Sequence, residues 1–115
     1  MNSRKRVLKA INHEEPDRVP IDFGSTRDTS IVKEGYEKLR GYLGMPEVDQ
    51  TIIDRMQQVV KVNEDLQDYF DADLRGVFLG SPDQGGEKEL GKNEYRDEWG
   101  VERVKPENSF YYDMK

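Results

Sequence analysis

The chain has no cysteine, one histidine, one tryptophan and no long apolar run. Without cysteine, disulfides, thiol nucleophiles and thiolate-bound metals are excluded, and nothing marks the redox compartment. A lone imidazole, His13, supplies too few nitrogen ligands for a transition-metal site made by these residues, so no metal ligand is assigned. Glu14 and Glu15 follow it directly, but neighbours along a turn or helix point different ways, and a solvent-facing polar turn is expected there. No segment approaches the roughly 20 apolar residues of a membrane span, so a cytoplasmic protein without membrane contact is expected. Basic charge is short as well: 18 Lys and Arg against 24 Asp and Glu leave a net charge of -6. That balance opposes a nucleic-acid partner, which needs cations gathered on one face. The one basic cluster, Arg4, Lys5, Arg6 and Lys9, gives way at once to Glu14, Glu15 and Asp17 and reads as a solvated helix face rather than a targeting signal.

What is there is mostly charge. Charged residues make up 37% of the 115 residues, against roughly 25% in a typical domain. Leu, Ile, Val and Phe still number 26, about 23% and above the roughly 20% that marks disorder. The chain is expected to fold, with little core material to spare.

Ser3 is a candidate N-cap for a first helix carrying Val7, Leu8 and Ile11, and the polar run Asn12 to Pro16 ends it. Val19 to Phe23 reads as a strand, with Pro20 at its start or on an edge. Gly24, Ser25 and Thr26 open a loop, and Asp28, Thr29 and Ser30 offer caps for a second helix with Val32, Tyr36, Leu39 and Leu43 on one face. Gly44 and Pro46 stop it. The apolar spacing of Ile52, Met56, Val59, Val60, Leu66 and Phe70 predicts a long third helix from Asp49 or Thr51 onward. Leu74 to Leu79 reads as a second strand. Strand, two helices, strand is a crossover unit, which sets the two strands parallel in one sheet. Residues 81–93, rich in glycine and charge, are expected to form a mobile loop. Val101–Lys105 and Phe110–Met114, separated by "PENS", are expected to pair as a hairpin, with Tyr95 and Trp99 supplying an earlier strand or an aromatic anchor.

Ligands of α/β sheets bind at the carboxyl ends of strands, which makes Asp22, Ser25, Thr26 and Arg27 the candidate binding cluster. A second reading stands beside it, in which Asp22 faces outward and Arg27 pairs with Asp28 or Glu34 at a helix start. Arg75 is expected to pair with Asp71 or Asp73, with a guanidinium–anion contact as the alternative. Tyr95, Trp99, Phe110, Tyr111 and Tyr112 suit either a ligand mouth or cross-strand packing. "GSPDQGGEKELG" has neither the Walker nor the dinucleotide spacing.

The run "SRKRVLKAINHEEPDRVPIDFG" resembles the amino-terminal signature of the uroporphyrinogen decarboxylase superfamily, a helix of the type "RERVLxAL", a polar turn and "DRVPV" entering the first barrel strand. "EGYEKLRGYLG", "YFDADLRGVF" and "DEWGVER" resemble its corrinoid-linked methyltransferase branch. The resemblance implies an α/β fold: the N-terminal part of a TIM (β/α)₈ barrel, incomplete in this chain because such barrels take roughly 250 residues. Residues 1–80 would then hold the first helix, the first barrel strands and two helices, 81–93 the loop, and 94–115 an aromatic β-hairpin inserted at the catalytic mouth. It further implies methyl transfer involving a corrinoid protein or a small-molecule substrate in the full-length parent, with zinc held by histidine and cysteines of that parent. No cofactor is expected in this chain, which alone would be inactive. Asp22, Ser25, Thr26 and Arg27 would contact substrate, with Trp99 as a lid contact, and uncovered strands would allow self-association.

Two departures set the decarboxylase activity itself aside as the alternative. The arginines of "MRQAGRYLPEY", implied to hold the tetrapyrrole carboxylates, have no counterpart in "GSTRDTSIVKE", where Arg27 is out of register. Leu79 stands where the decarboxylases carry their catalytic aspartate. A further alternative, independent of the resemblance, is a self-standing acidic module that binds a protein through its aromatic hairpin.

Overall fold

A computed structural model describes residues 1–115. Helix α1 (Ser3–Ile11) is capped by Asn2 rather than Ser3, because Asn2 is the extended residue whose Oδ1 accepts the Lys5 N–H at 2.9 Å. Arg6, on the inner side of α1, is buried. The chain leaves the helix through His13, exposed and held at a φ of 60°.

Helix α2 (Lys33–Tyr42) carries Glu34 in its first turn and Arg40 in its last, in keeping with the helix dipole, and the chain turns out of it at Gly44 with a φ of 66°. Its inner face buries Tyr36 completely and packs Leu39, with Leu43 just beyond the helix, against the core.

The long third helix is not formed. Its span contains β1 (Ile52–Asp54) and β2 (Val59–Val60), an antiparallel hairpin, followed by the short helix α3 (Glu64–Tyr69). The β-branched pairs Ile52–Ile53 and Val59–Val60 flank a turn in which Gln58 takes a φ of 57°, and crowding at Cβ favours strand over helix at those pairs. The segment before α2 joins this hairpin: Val60 donates to Ile31 O at 3.1 Å and Lys33 to Gln58 O at 2.9 Å. The core is centred on Tyr36, Val60, Val62 and Leu66, with Phe23, Ile31, Leu39 and Ile52 packed around them.

Neither of the two expected parallel strands is formed: residues 19–22 and 72–80 have no regular structure and the chain bends at 23–25. Asp73 N–H donates to Ile21 O at 2.7 Å, and Gly76 lies against the carbonyl of Ser25, so residues 21–25 and 73–76 approach each other in the same chain direction at these two points. The Asp73 carboxylate, rather than a second backbone carbonyl, takes the Ile21 N–H at 2.9 Å. Side-chain capping replaces the next rung.

The remaining chain forms a four-stranded antiparallel meander, β3 (Lys88–Gly91), β4 (Glu94–Arg96), β5 (Glu102–Val104) and β6 (Asp113–Met114), in that order. β3 lies inside the segment expected to be loop. β5 and β6 pair as Arg103 with Met114 and Val104 with Asp113. The chain thus combines helices with two small antiparallel sheets, a mixed α/β architecture. No helix is long and apolar enough to cross a membrane. Only 11 residues are buried, and the radius of gyration is 17.1 Å where a compact domain of this length has about 13 Å.

Candidate functional site

The loop after Phe23 is held by its own side chains. The Asp22 carboxylate accepts the Ser25 N–H at 3.1 Å and the Ser25 hydroxyl at 2.5 Å, an Asx-type turn. Thr26 and Thr29 bond each other reciprocally, Thr29 Oγ1 accepting the Thr26 N–H at 3.0 Å and Thr26 Oγ1 the Thr29 N–H at 3.2 Å. Arg27 pairs with neither Asp28 nor Glu34. It reaches Asp54 in the β1–β2 hairpin at 3.3 Å, because the hairpin brings that carboxylate, only 8% exposed, up to the loop. Trp99 is 84% exposed on the β4–β5 connection and does not join this cluster.

Beside the loop, where Gly24 comes near Gly76 and Phe78, lies an open cavity of about 390 Å³. Gly24, Gly76 and Phe78 bring the segments to it, and Lys61, Asn63, Glu64, Gln67 and Arg75 supply most of its polar wall. Two close approaches shape it. A Cβ on Gly24, whose φ is 84°, would stand 2.6 Å from a Val62 methyl, and one on Gly76 would overlap the Ser25 carbonyl. Gln67 is buried and donates from Nε2 to Phe23 O at 2.9 Å, fixing the end of the first segment to α3. Lys61 and Arg75 against Asp49 and Glu64 give the lining mixed charge, able to hold a small polar ligand through hydrogen bonds and ion pairs.

Apart from the cavity, a charged lock ties α1 to the chain after α3. Arg6 grips Asp17 with two bonds of 2.7 and 2.9 Å and reaches Asp73, whose carboxylate is fully buried. Arg18 meets Asp73 from the other side at 2.7 Å and donates to Asp71 O at 2.9 Å. Burial pushes the Asp73 pKa up, but the Ile21 N–H with Ser3, Arg6 and Arg18 more than reverse it and hold it at about 2. The Arg6 hydrogen bond holds Asp17 well below the usual carboxylate range, and Asp17 in turn raises Arg6. Because Asp73 is taken twice, Arg75 pairs with neither Asp71 nor Asp73. It bonds Asp68 at 2.6 Å and Ala72 O at 2.8 Å.

Sequence reasoning passed over Lys61, Asn63, Glu64 and Gln67 because all four fell inside the supposed long helix. It also took "PDRVP" as a signature without a role; the structure gives Asp17 and Arg18 the work of tying α1 to the chain after α3. No three His, Cys, Asp or Glu side chains are grouped to hold a metal ion, and the zinc-ligand set implied by the resemblance is not supplied by these residues. Comparison with protein-family models, curated proteins and solved structures finds no match to the chain.

Proposed function

We propose that these 115 residues are the amino-terminal portion of a uroporphyrinogen decarboxylase-like α/β barrel whose complete form transfers a methyl group between a methylated donor or corrinoid protein and an acceptor. One observation carries the reading. Two segments without regular structure meet in the same chain direction at Ile21–Asp73 and Ser25–Gly76, separated by α2, the β1–β2 hairpin and α3, with a polar cavity beside them and the apolar side chains Val19, Val77 and Leu79 left 79%, 97% and 99% exposed. Parallel neighbours linked through helices are the unit of a barrel, and ligands sit at the carboxyl ends of its strands. Further strands and helices of a parent would cover those side chains. In that parent Arg27 and the cavity wall would meet substrate, and Asp22 with Ser25 would shape the loop.

The choice of methyl transfer over decarboxylation rests on the sequence departures at Arg27 and Leu79. The test is the polypeptide of the complete reading frame, incubated with methylcobalamin and a thiol, and separately with uroporphyrinogen. Demethylation of the cobalamin is expected; carbon dioxide release without demethylation would transfer the reading to the decarboxylases. Neither reaction, together with a monodisperse and slowly exchanging 115-residue chain, would overturn the barrel reading in favour of a protein-binding module.

A further inference from the structure

The four-stranded sheet has almost no interior. Within β3 to β6, Tyr95 is the single buried side chain, and every residue of β3 and β6 is exposed. Three antiparallel strands gain independent stability only when they have an apolar face to bury. This sheet instead covers its one ring with a side chain from elsewhere. Arg55, on the β1–β2 turn, lies with its guanidinium carbon 4.0 Å from the Tyr95 ring centre and 5.6 Å from that of Tyr112, while those two rings meet edge to face at 5.0 Å. The same guanidinium reaches Glu87 at 3.0 Å and Glu89 at 2.5 Å. The next residue completes the attachment: Met56 O accepts the Tyr112 N–H at 2.9 Å, and Arg103 donates to the Met56 sulfur at 3.2 Å. Between α3 and β3 the chain has no regular structure that would otherwise hold the sheet in place.

We propose that Arg55 is a clasp that orders the sheet: β3 to β6 fold while its guanidinium is seated between Glu87, Glu89, Tyr95 and Tyr112, and become disordered when it is withdrawn. The sheet is therefore an order–disorder element controlled from the β1–β2 turn. Its stability is separable from that of the core around Tyr36, Val60 and Leu66. The proposal is independent of the enzyme family.

Amide hydrogen exchange on the whole chain tests it. In Arg55→Ala the Lys105 and Lys115 amides, which bond to Asn93 O and Glu102 O, are expected to lose protection by about tenfold, from loss of a partly buried cation–π contact and two ion pairs together. The Tyr36 and Val60 amides, bonded to Val32 O and Ile31 O, are expected to keep theirs. Arg55→Lys keeps the charge but not the flat stack, and is expected to fall between the two. Sheet amides that stay protected in Arg55→Ala would show that the sheet folds unaided. Equal loss in core and sheet, or the same loss in Arg55→Lys as in a core variant such as Leu66→Ala, would make Arg55 one more general stabilising residue. Either outcome overturns the clasp.

Discussion

At the scale of single residues the strongest determinant is Asp73. Its carboxylate is sealed from solvent between Arg6 and Arg18 and also closes on the Ile21 N–H, so it joins α1, the first extended segment and the second at one point. Removing one partner of a buried ion pair leaves the others uncompensated, and Asp73→Asn is expected to cost about 3 kcal/mol, read as a shift in urea midpoint. The pH dependence has a definite sign. Asp73 and Asp65 are each held at about 2, Asp65 by the two-pronged Arg40 contact, and Asp17 is lowered further, all below the unfolded carboxylate value. Depressed folded values stabilise the fold fully above about pH 5, and that contribution disappears as pH falls from about 4 toward 2. Far-UV circular dichroism against pH is expected to show unfolding within that window in the parent chain and at higher pH in Asp73→Asn. None of this pairing could be assigned from the sequence: Arg6 sits in a run of surface-type cations, and its partners lie 11 and 67 residues away. "PDRVP" stood out in the sequence, but the ion-pair lock that Asp17 and Arg18 form was not legible there.

At the scale of elements, helix α2 was readable because spacing and the Gly44 stop agreed, although none of the expected caps Asp28, Thr29 and Ser30 is used and Val32 stands at its N-cap without a side-chain hydrogen bond. The following segment was not, because Ile52, Met56, Val59 and Val60 satisfy a helical spacing and a hairpin equally well. The β-branched pairs decide it only once the segment before α2 offers Ile31 and Val32 as a third rung. Burial of Tyr36 depends on that outcome, since its hydroxyl accepts the Asn63 N–H at 3.0 Å just after β2. The same packing places Val62 on Gly24, and here an element-level prediction follows. Gly24→Ala adds a methyl where φ is positive and Val62 is already in the way, so a loss of about 2 kcal/mol is expected, from αL strain plus overpacking. Val62→Gly in the same chain removes both atoms in the way, the methyl at 2.6 Å and the Cβ at 2.7 Å, and with them the steric half. The double variant is therefore expected to lose less than the sum of the two singles, and thermal unfolding of all four chains measures the difference. Strict additivity would place the strain wholly in the backbone of Gly24.

At the scale of the whole molecule, the thin core foreseen in the composition is visible as exposed apolar chain on the second extended segment. Val77 and Leu79 stand almost wholly in water on a stretch whose backbone carries no ladder, and Val19 lies on the neighbouring segment. Apolar chain with an unpaired backbone is a template for another strand, and Arg75, drawn back to Asp68 and Ala72 O, is the single charge between Leu74 and Leu79, with no lysine or proline to blunt it. The isolated chain is therefore expected to self-associate, with a light-scattering mass above 13.4 kDa that rises with concentration. Val77→Lys with Leu79→Lys puts two charges on that edge without touching the core. The pair is expected to return the chain to its monomer mass while leaving the amide protection of Tyr36 and Val60 unchanged. Equal substitutions at Phe110 and Met114, which are also exposed but lie in or beside the paired meander, are expected to leave association as it was. Association abolished by that second pair, and not by the first, would move the sticky surface to the sheet and remove the main physical reason for reading the extended segments as strands awaiting neighbours.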